Sequence, residues 1–357
     1  MRVCFPMWIG PRHQGLGNEL IPWAKAFIAS QELRIKFLPP ALGLNDRHYY
    51  KYFGASRWDW IYYAILKKVL PCYVFTEEEY LATGEKDFAR AIRVYADKKG
   101  LGNKHSYALL TEGLWGNFYS IREAHHFVLS QLYRTRHLCD NLYQLDKQIA
   151  DKRLVVGIHV RMGDFLPATN STEYKGVWNT RVSLAWYLNI CRQLKAAFGD
   201  AVTFMLLTDG TEDELRDFVD EFHPITNFGQ PYAVVSDLLA LASADVLVCS
   251  ISSYSMWGAV LSRAPYFWYL PNLQRLNGHL TLWQEHVAGL GDDRNDEEIL
   301  PRGIPMAEDS RIPDNVIEYL RMKMKLNSLS LDLIKSGGIP VNYETVLSTI
   351  EDKCITI

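Results

Sequence analysis

The 357-residue sequence lacks the marks of several common protein classes. It contains no run of about 18 apolar residues, which a membrane-spanning helix would need. Its six cysteines are scattered, with no Cys-x-x-Cys pair and no Cys/His cluster, so neither a zinc site nor a disulfide framework is predicted. Asp-x-Asp and Gly-x-Ser-x-Gly are also absent. These absences argue against a metal-chelating sugar transferase and against an α/β-hydrolase.

A large excess of charge of one sign is missing too. The net charge of −3 disfavours a generic nucleic-acid-binding protein. Hydrophobic residues make up 48% of the chain and charged residues 22%, which excludes wholesale disorder. The charge is uneven, because residues 1–150 carry twenty Lys and Arg against fourteen Asp and Glu, whereas residues 151–357 carry eighteen against twenty-seven. This asymmetry favours two bodies with different partners.

The first ten residues are apolar but are soon followed by Arg12 and His13. We interpret them as a first strand rather than as a signal peptide. Together with the unpaired cysteine pattern, this predicts a cytoplasmic protein. Peripheral association with the inner face of the membrane is left open.

The apolar pattern predicts an α/β fold. A strand at 2–9, a helix at 19–30 and a strand at 34–38 form a β-α-β opening of the Rossmann kind. Strands at 154–160, 202–207 and 246–249 alternate with helices, which predicts a second parallel sheet. Two Rossmann-like domains facing a cleft are therefore expected. Their predicted limits are residues 1–150 for the N-terminal domain, 151–300 for the second domain and 301–357 for a C-terminal helical tail.

Polar residues follow the predicted strands, where open α/β sheets bind ligands. His159 and Arg161 end one strand on the same face, and an arginine there can grip a phosphate. An ion pair that holds the turn, between Arg161 and Asp164, is an equally good interpretation. Asp209, after the next strand, is predicted to form a turn or cap a helix.

A second strand end leads into a turn rich in hydroxyl groups. Backbone N–H groups and hydroxyls at the start of the following helix form a ready anion site. Ordinary N-capping by one serine is the alternative, but four serines in six residues exceed what a cap needs. These are Ser250, Ser252, Ser253 and Ser255. The Gly15-x-Gly17 pair before the first helix is a weaker signal for close backbone approach to a ligand.

These segments occur in an order that resembles a known family. The α-1,2-fucosyltransferases of glycosyltransferase family 11 have similar motifs, as does a wider group that includes α-1,6-fucosyltransferases and protein O-fucosyltransferases. The resemblance spans residues 9–262. Its motifs are QGLGNEL at 14–20, GLWGNF at 113–118, HVRMGDF at 159–165, LTDG at 207–210 and DLLALASADVLVCSISSYSMWGAVL at 237–261.

The resemblance implies a GT-B-like fold and an inverting, metal-independent transfer of fucose from GDP-fucose. The acceptor would be a galactoside or another glycan hydroxyl, free or lipid-linked, with an α-1,2 linkage as the first expectation. No cofactor is implied beyond the donor substrate. Because cleavage leaves charge on a diphosphate, fixed hydrogen-bond donors must replace a metal.

Residue roles follow from the matched motifs. The candidate catalytic residues are Arg161 and Asp164. The candidate donor-binding residues are His159, Arg161, Asp237, Ser250, Ser252, Ser253, Gly15, Gly17 and Asn18. Four carboxylates are conceivable as the general base, and none is assigned: Asp164, Glu173, Glu112 and Glu19.

Met162 departs from the family, which has a second arginine at this place. Two alternatives therefore stay open, namely transfer of another sugar or linkage, and non-catalytic binding of a nucleotide sugar. The positive first half motivates a further hypothesis, that the acceptor carries acidic sugars or a lipid diphosphate.

Overall fold

The computed structural model describes most of the chain up to residue 335. The residues before that point that it does not describe are 8–14, 39–48, 54–56, 86, 113–118, 136–137, 150, 169–179, 231–232, 263, 273, 277–278 and 282–302. The strands are β1 (Arg2–Met7), β2 (Lys36–Phe37), β3 (Cys72–Phe75), β4 (Tyr107–Glu112), β5 (Leu154–Val160), β6 (Leu166–Pro167), β7 (Thr180–Arg181), β8 (Val202–Thr208), β9 (Ile225–Thr226), β10 (Val246–Val248), β11 (Tyr266–Tyr269), β12 (Gln274–Leu276), β13 (His279–Thr281) and β14 (Gly303–Met306).

Helices alternate with these strands. The α-helices are α1 (Leu16–Glu32), α2 (Tyr50–Phe53), α3 (Arg57–Val69), α4 (Glu77–Leu81), α5 (Phe88–Lys98), α6 (His125–Tyr133), α7 (Leu138–Ile149), α8 (Leu184–Phe198), α9 (Arg216–Phe222), α10 (Ala233–Ser243), α11 (Ser253–Ser262) and α12 (Asp314–Lys335). Short 3₁₀ turns lie at Leu101–Asn103, Tyr119–Ala124, Gly199–Ala201, Asp213–Leu215 and Leu270–Asn272.

Two parallel sheets organise the fold. The first has the strand order β2-β1-β4-β3, and the second has the order β14-β11-β10-β5-β8-β9. Every residue of β5 is buried, because helices cover both faces of a parallel sheet and leave no place for a solvated side. The predicted α/β class, with two parallel sheets, is confirmed.

The two sheets share a hydrophobic core. One continuous apolar cluster joins Leu20 and Trp23 of α1 with Leu238 of α10 and with Met256 and Trp257 of α11. Met256 is fully buried, and burying a side chain of this size contributes about 1.5–3 kcal/mol to stability. The helix α1 is buried nearly all round because the first sheet lies on one side and α11 on another.

The second sheet ends in a strand that the sequence did not indicate. The segment Gly303–Met306 pairs in parallel with β11, so the segment predicted as a helical tail begins with a sheet strand. The domain limits themselves stay a prediction. Among the described residues, no helix combines the length and the apolarity needed to cross a membrane.

Candidate functional site

The guanidinium of Arg161 lies directly after β5, between two carboxylates. Its Nη2 donates to Asp164 Oδ1 at 2.7 Å, and its Nη1 donates to Asp209. The Cζ atom lies 5.2 Å from the centroid of the Phe165 ring, so one face of the guanidinium rests on an aromatic side chain. The side chain is 17% exposed. The group is thus held in a fixed orientation at the carboxyl end of the central strand.

Asp209 does more than the turn formation that the sequence predicted for it. Its Oδ1 accepts the backbone N–H of Met162 at 2.8 Å, while Oδ2 accepts from Arg161. A Cβ at Gly163 would collide with this carboxylate, so the glycine leaves the space that Asp209 occupies. The sequence did not predict this role, because it depends on the order of strands in the sheet. The strand β8 lies beside β5, with Val160 opposite Thr208, and this places Asp209 next to Arg161.

His159 is buried behind Arg161. Its Nδ1 lies 3.0 Å from Ser250 Oγ and 2.7 Å from Ser255 Oγ, and its ring centroid is 4.8 Å from that of Tyr254. Burial, followed by the positive charge of Arg161, lowers the pKa of His159 to about 3. The imidazole is therefore neutral at pH 7. The folded-state pKa lies below the ordinary value, so the unfolded chain binds a proton here before the folded chain does. The free energy of unfolding therefore decreases as the pH falls from about 6.5 toward 3.

The serine turn forms a closed hydrogen-bond network. Ser250 Oγ lies 2.9 Å from both Ser252 Oγ and Ser255 Oγ, and the Ser250 N–H donates to Ser255 Oγ at 3.0 Å. Ser252 Oγ accepts the Ser255 N–H at 3.2 Å, which is N-capping geometry for α11. One serine is thus the cap that the sequence offered as an alternative, and two others surround His159. Anion binding by this turn stays a prediction.

The first helix meets this turn from the other sheet. Ser253 Oγ donates to Asn18 Oδ1, and Trp257 Nε1 donates to the Gly17 carbonyl at 2.8 Å. A Cβ on Gly17 would stand 2.6 Å from the Tyr254 backbone nitrogen and 2.7 Å from Ser253 Oγ. The close approach at Gly17 is therefore made to the backbone of α11.

Gly15 occupies a different environment. It is the N-cap residue of α1, with φ of −70°, and a Cβ there would have no atom of the described residues within 4 Å. The structure thus brings Gly17 and Asn18 against the serine turn and leaves Gly15 beside open space.

Asp237 lies on α10 and is 8% exposed. Asn227 Nδ2 donates to its Oδ2 at 2.6 Å, while the Asn227 side chain also bonds the backbone of Thr208. Burial raises the pKa of Asp237 to about 8, and the hydrogen bond from Asn227 opposes this shift. The carboxyl lines a small cavity of about 10 Å³, room for about one water molecule, whose polar side chains also include Asn141, Gln148, Gln230 and Ser236.

The four carboxylates considered as the general base stay unassigned. Glu19 is buried in α1, and Asp164 is half-exposed and paired with Arg161. Glu173 and the motif at 113–118 lie outside the described residues, as does the side chain of Glu112. In the part of the chain that the structure describes, no three His, Cys, Asp or Glu residues are grouped as a metal site would require.

No family model and no curated protein matches the chain. Several solved structures have a similar course of the chain. One is NodZ α-1,6-fucosyltransferase co-crystallized with GDP, which is 15% identical with a TM-score of 0.41. The match covers 78% of this chain and 97% of the NodZ chain. POFUT1 in complex with GDP-fucose is 12% identical, with a TM-score of 0.42, and the match covers 74% and 94% of the two chains. A mutant of Arabidopsis thaliana FUT1 in complex with GDP is 12% identical, with a TM-score of 0.38 and coverage of 74% and 69%. Such distant likenesses assign no residue of the site, which is defined by its geometry alone.

Proposed function

We propose that this chain transfers fucose from GDP-fucose to a glycan hydroxyl, with inversion and without a metal ion. The observation that carries the proposal is the fixed guanidinium of Arg161 at the end of β5, next to the buried His159 and the serine turn. The ordered motifs of the sequence identify the donor class. An α-1,2 linkage to a galactoside is the first candidate, and the second domain would hold GDP while residues 1–150 hold most of the acceptor.

The chemistry requires stabilisation of a leaving diphosphate. The bond between the sugar and the diphosphate breaks with its electron pair on GDP, and the acceptor oxygen forms a bond from the opposite face of the sugar. Its proton passes to a base that is not assigned. A planar guanidinium can pair with two phosphate oxygens at once, in a site where donors need no reorganisation.

The two carboxylates around Arg161 are not equivalent in this proposal. Asp209 is tied to the Met162 backbone N–H and keeps the guanidinium in place. Asp164 is half-exposed, and its Oδ1 accepts the hydrogen bond from Arg161 Nη2. A phosphate oxygen can displace it from Nη2, which leaves the guanidinium held by Asp209 and bonded to the ligand.

Met162 bears on the alternative of a non-catalytic protein. Its side chain is buried in the core of the second sheet together with Val160 and Val182. The family's second arginine is therefore replaced by a packing residue, and the guanidinium of Arg161 is retained.

The test of the proposal is turnover of nucleotide sugars with pooled free and lipid-linked oligosaccharides, read by mass spectrometry. We expect addition of one deoxyhexose from GDP-fucose, none from GDP-mannose or UDP-sugars, and an unchanged rate in EDTA. Loss of turnover in EDTA with recovery in Mg²⁺ or Mn²⁺ would refute the metal-independent mechanism. Binding of GDP with no transfer to any acceptor would favour the non-catalytic alternative.

We further propose that Asp237 recognises the guanine base. Guanine offers two adjacent N–H groups, from N1 and from the 2-amino group, to a carboxylate. Only the deprotonated form of Asp237 can accept both hydrogen bonds. Since its pKa is about 8, most of the protein must release a proton from this carboxyl when GDP binds at pH 7. GDP affinity should therefore increase between about pH 7 and pH 8.5, and GDP should bind more tightly than IDP, which lacks the 2-amino group.

The variant Asp237→Asn is expected to weaken GDP binding by roughly 10- to 100-fold, as loss of a hydrogen bond to a charged group does, and to remove the pH dependence. It should also reduce the preference for GDP over IDP. Calorimetry with both nucleotides measures these quantities, and Asp220→Asn, an exposed carboxylate on α9, is the matched control. A wild-type affinity independent of pH, with an unchanged GDP/IDP ratio in Asp237→Asn, would contradict the assignment.

A further inference from the structure

The outer face of α3 exposes five large apolar side chains. They are 43% to 77% exposed and follow one another at helical spacing. At 100° per residue they fall within an arc of about 100° and form one continuous row. We call this row the α3 stripe; it consists of Trp58, Ile61, Tyr62, Ile65 and Val69.

The inner face of the same helix fixes its orientation. Leu66 is buried, and the Tyr63 ring stacks on Phe5 of β1 with centroids 5.3 Å apart. Leu66 belongs to the apolar cluster that covers this face of the first sheet. The helix is therefore docked by one side, and the α3 stripe points away from the sheet.

The surroundings of the α3 stripe are basic. Lys68 is exposed and falls beside Ile61 in helical projection. Lys67 is exposed too, but it projects from the opposite side of α3, where its Nζ lies 5.8 Å from the centroid of the Phe5 ring of β1. In the sequence from 47 to 72, five basic residues face a single acidic one, Asp59. An apolar row flanked by positive charge has the chemistry of helices that lie in the interface of an anionic bilayer.

Two other exposed apolar residues of the first sheet's helices do not share this setting. Leu81 is 63% exposed, but it ends a short helix that begins with Glu77, Glu78 and Glu79. Val94 is 40% exposed on α5, beside Arg93, which is paired with Glu32. Both residues supply matched controls for a change from apolar to polar at the surface.

We propose that the α3 stripe docks on an anionic lipid surface, with α3 lying in the plane of the membrane. Trp58 and Tyr62 would lie at the level of the headgroups, where amphipathic aromatic rings are favoured, and the aliphatic residues would enter the acyl boundary. Lys68 would pair with an anionic headgroup. A second copy of this chain is the poorer occupant, because it would bring a second basic flank against the first.

The proposal is tested with the full chain and vesicles, without donor or acceptor, so its outcome is independent of the proposed function. The wild-type protein should float with phosphatidylcholine vesicles that contain phosphatidylserine and bind far less to phosphatidylcholine alone. The double variant Ile61→Gln/Ile65→Gln should lose binding by on the order of tenfold. Lys68→Gln should weaken binding to the anionic vesicles and reduce its salt dependence, whereas Lys67→Gln, on the side of α3 that faces β1, should have little effect.

The controls decide between a specific surface and general stickiness. Leu81→Gln and Val94→Gln should bind as the wild type does, and all variants should keep the wild-type circular dichroism and melting temperature, because the changed side chains are exposed. Equal loss in these controls, or no flotation of the wild type, overturns the proposal. A wild-type dimer in sedimentation that the Ile61→Gln/Ile65→Gln variant converts to a monomer would instead assign the α3 stripe to a second copy.

Discussion

Replacement of Arg161 with alanine is expected to lower kcat by on the order of 10²–10³-fold, which is the usual cost of removing one strong transition-state donor. The protein should stay folded, because the guanidinium pairs with carboxylates that are partly exposed rather than with the core. Arg161→Lys keeps the charge but loses the planar fork, so it should recover only a small part of the rate. Steady-state kinetics with GDP-fucose and calorimetry with GDP measure both effects.

A surface arginine offers the matched control. Arg192 forms a two-point pair with Glu221 on the second domain, yet its side chain is 58% exposed and lies on α8. Arg192→Ala should leave turnover unchanged. If Arg161→Ala melts earlier but binds GDP and turns over normally, Arg161 is only the structural partner of Asp164 and Asp209.

Alanine at Gly17 should be strongly damaging. Its Cβ would stand 2.6 Å from the Tyr254 nitrogen, a backbone atom that cannot rotate away. The helix α1 must then shift against α11, and a displacement of about 1 Å at a reacting centre can cost 10²-fold in rate. We expect a loss of that order in kcat/KM for GDP-fucose, with about 1–3 kcal/mol of lost stability from overpacking.

The direction of the stability change separates this effect from helix propensity. Within a helix, Gly→Ala ordinarily stabilises by about 0.5–1 kcal/mol, so a lower melting temperature of Gly17→Ala must come from the contact. Gly102→Ala is the control, since a Cβ there meets no atom within 4 Å. Full activity in Gly17→Ala would mean that the contact between α1 and α11 does not position the site.

Local patterns predicted the parts of the site that lie within one segment. The buried run of β5 predicted that Arg161 leaves the sheet at its carboxyl end, and the structure places it there. The crowding of serines predicted more than a cap, and three of them form a network around His159. Strand periodicity and turn composition depend on consecutive residues, so both can be predicted without knowledge of the fold.

Features that depend on neighbours in space were not predictable in this way. The role of Asp209 requires that β8 lies beside β5, and the target of Gly17 requires that α1 faces α11. Which of the two apolar sides of α3 faces Phe5 depends likewise on the sheet beneath it. These are tertiary choices that single-sequence patterns leave undetermined.

The shared core between α1 and α11 also determines how the molecule can move. Trp257 is buried, and its indole N–H donates a hydrogen bond to the Gly17 carbonyl. The helices α1 and α11 are therefore packed together next to the place where the donor is proposed to bind. Separation of α1 from α11 would expose this apolar core to water. Such an opening is disfavoured by the hydrophobic effect that also stabilises the fold. The entropy of bringing the two halves together is then lost once, during folding, and not again in each catalytic cycle.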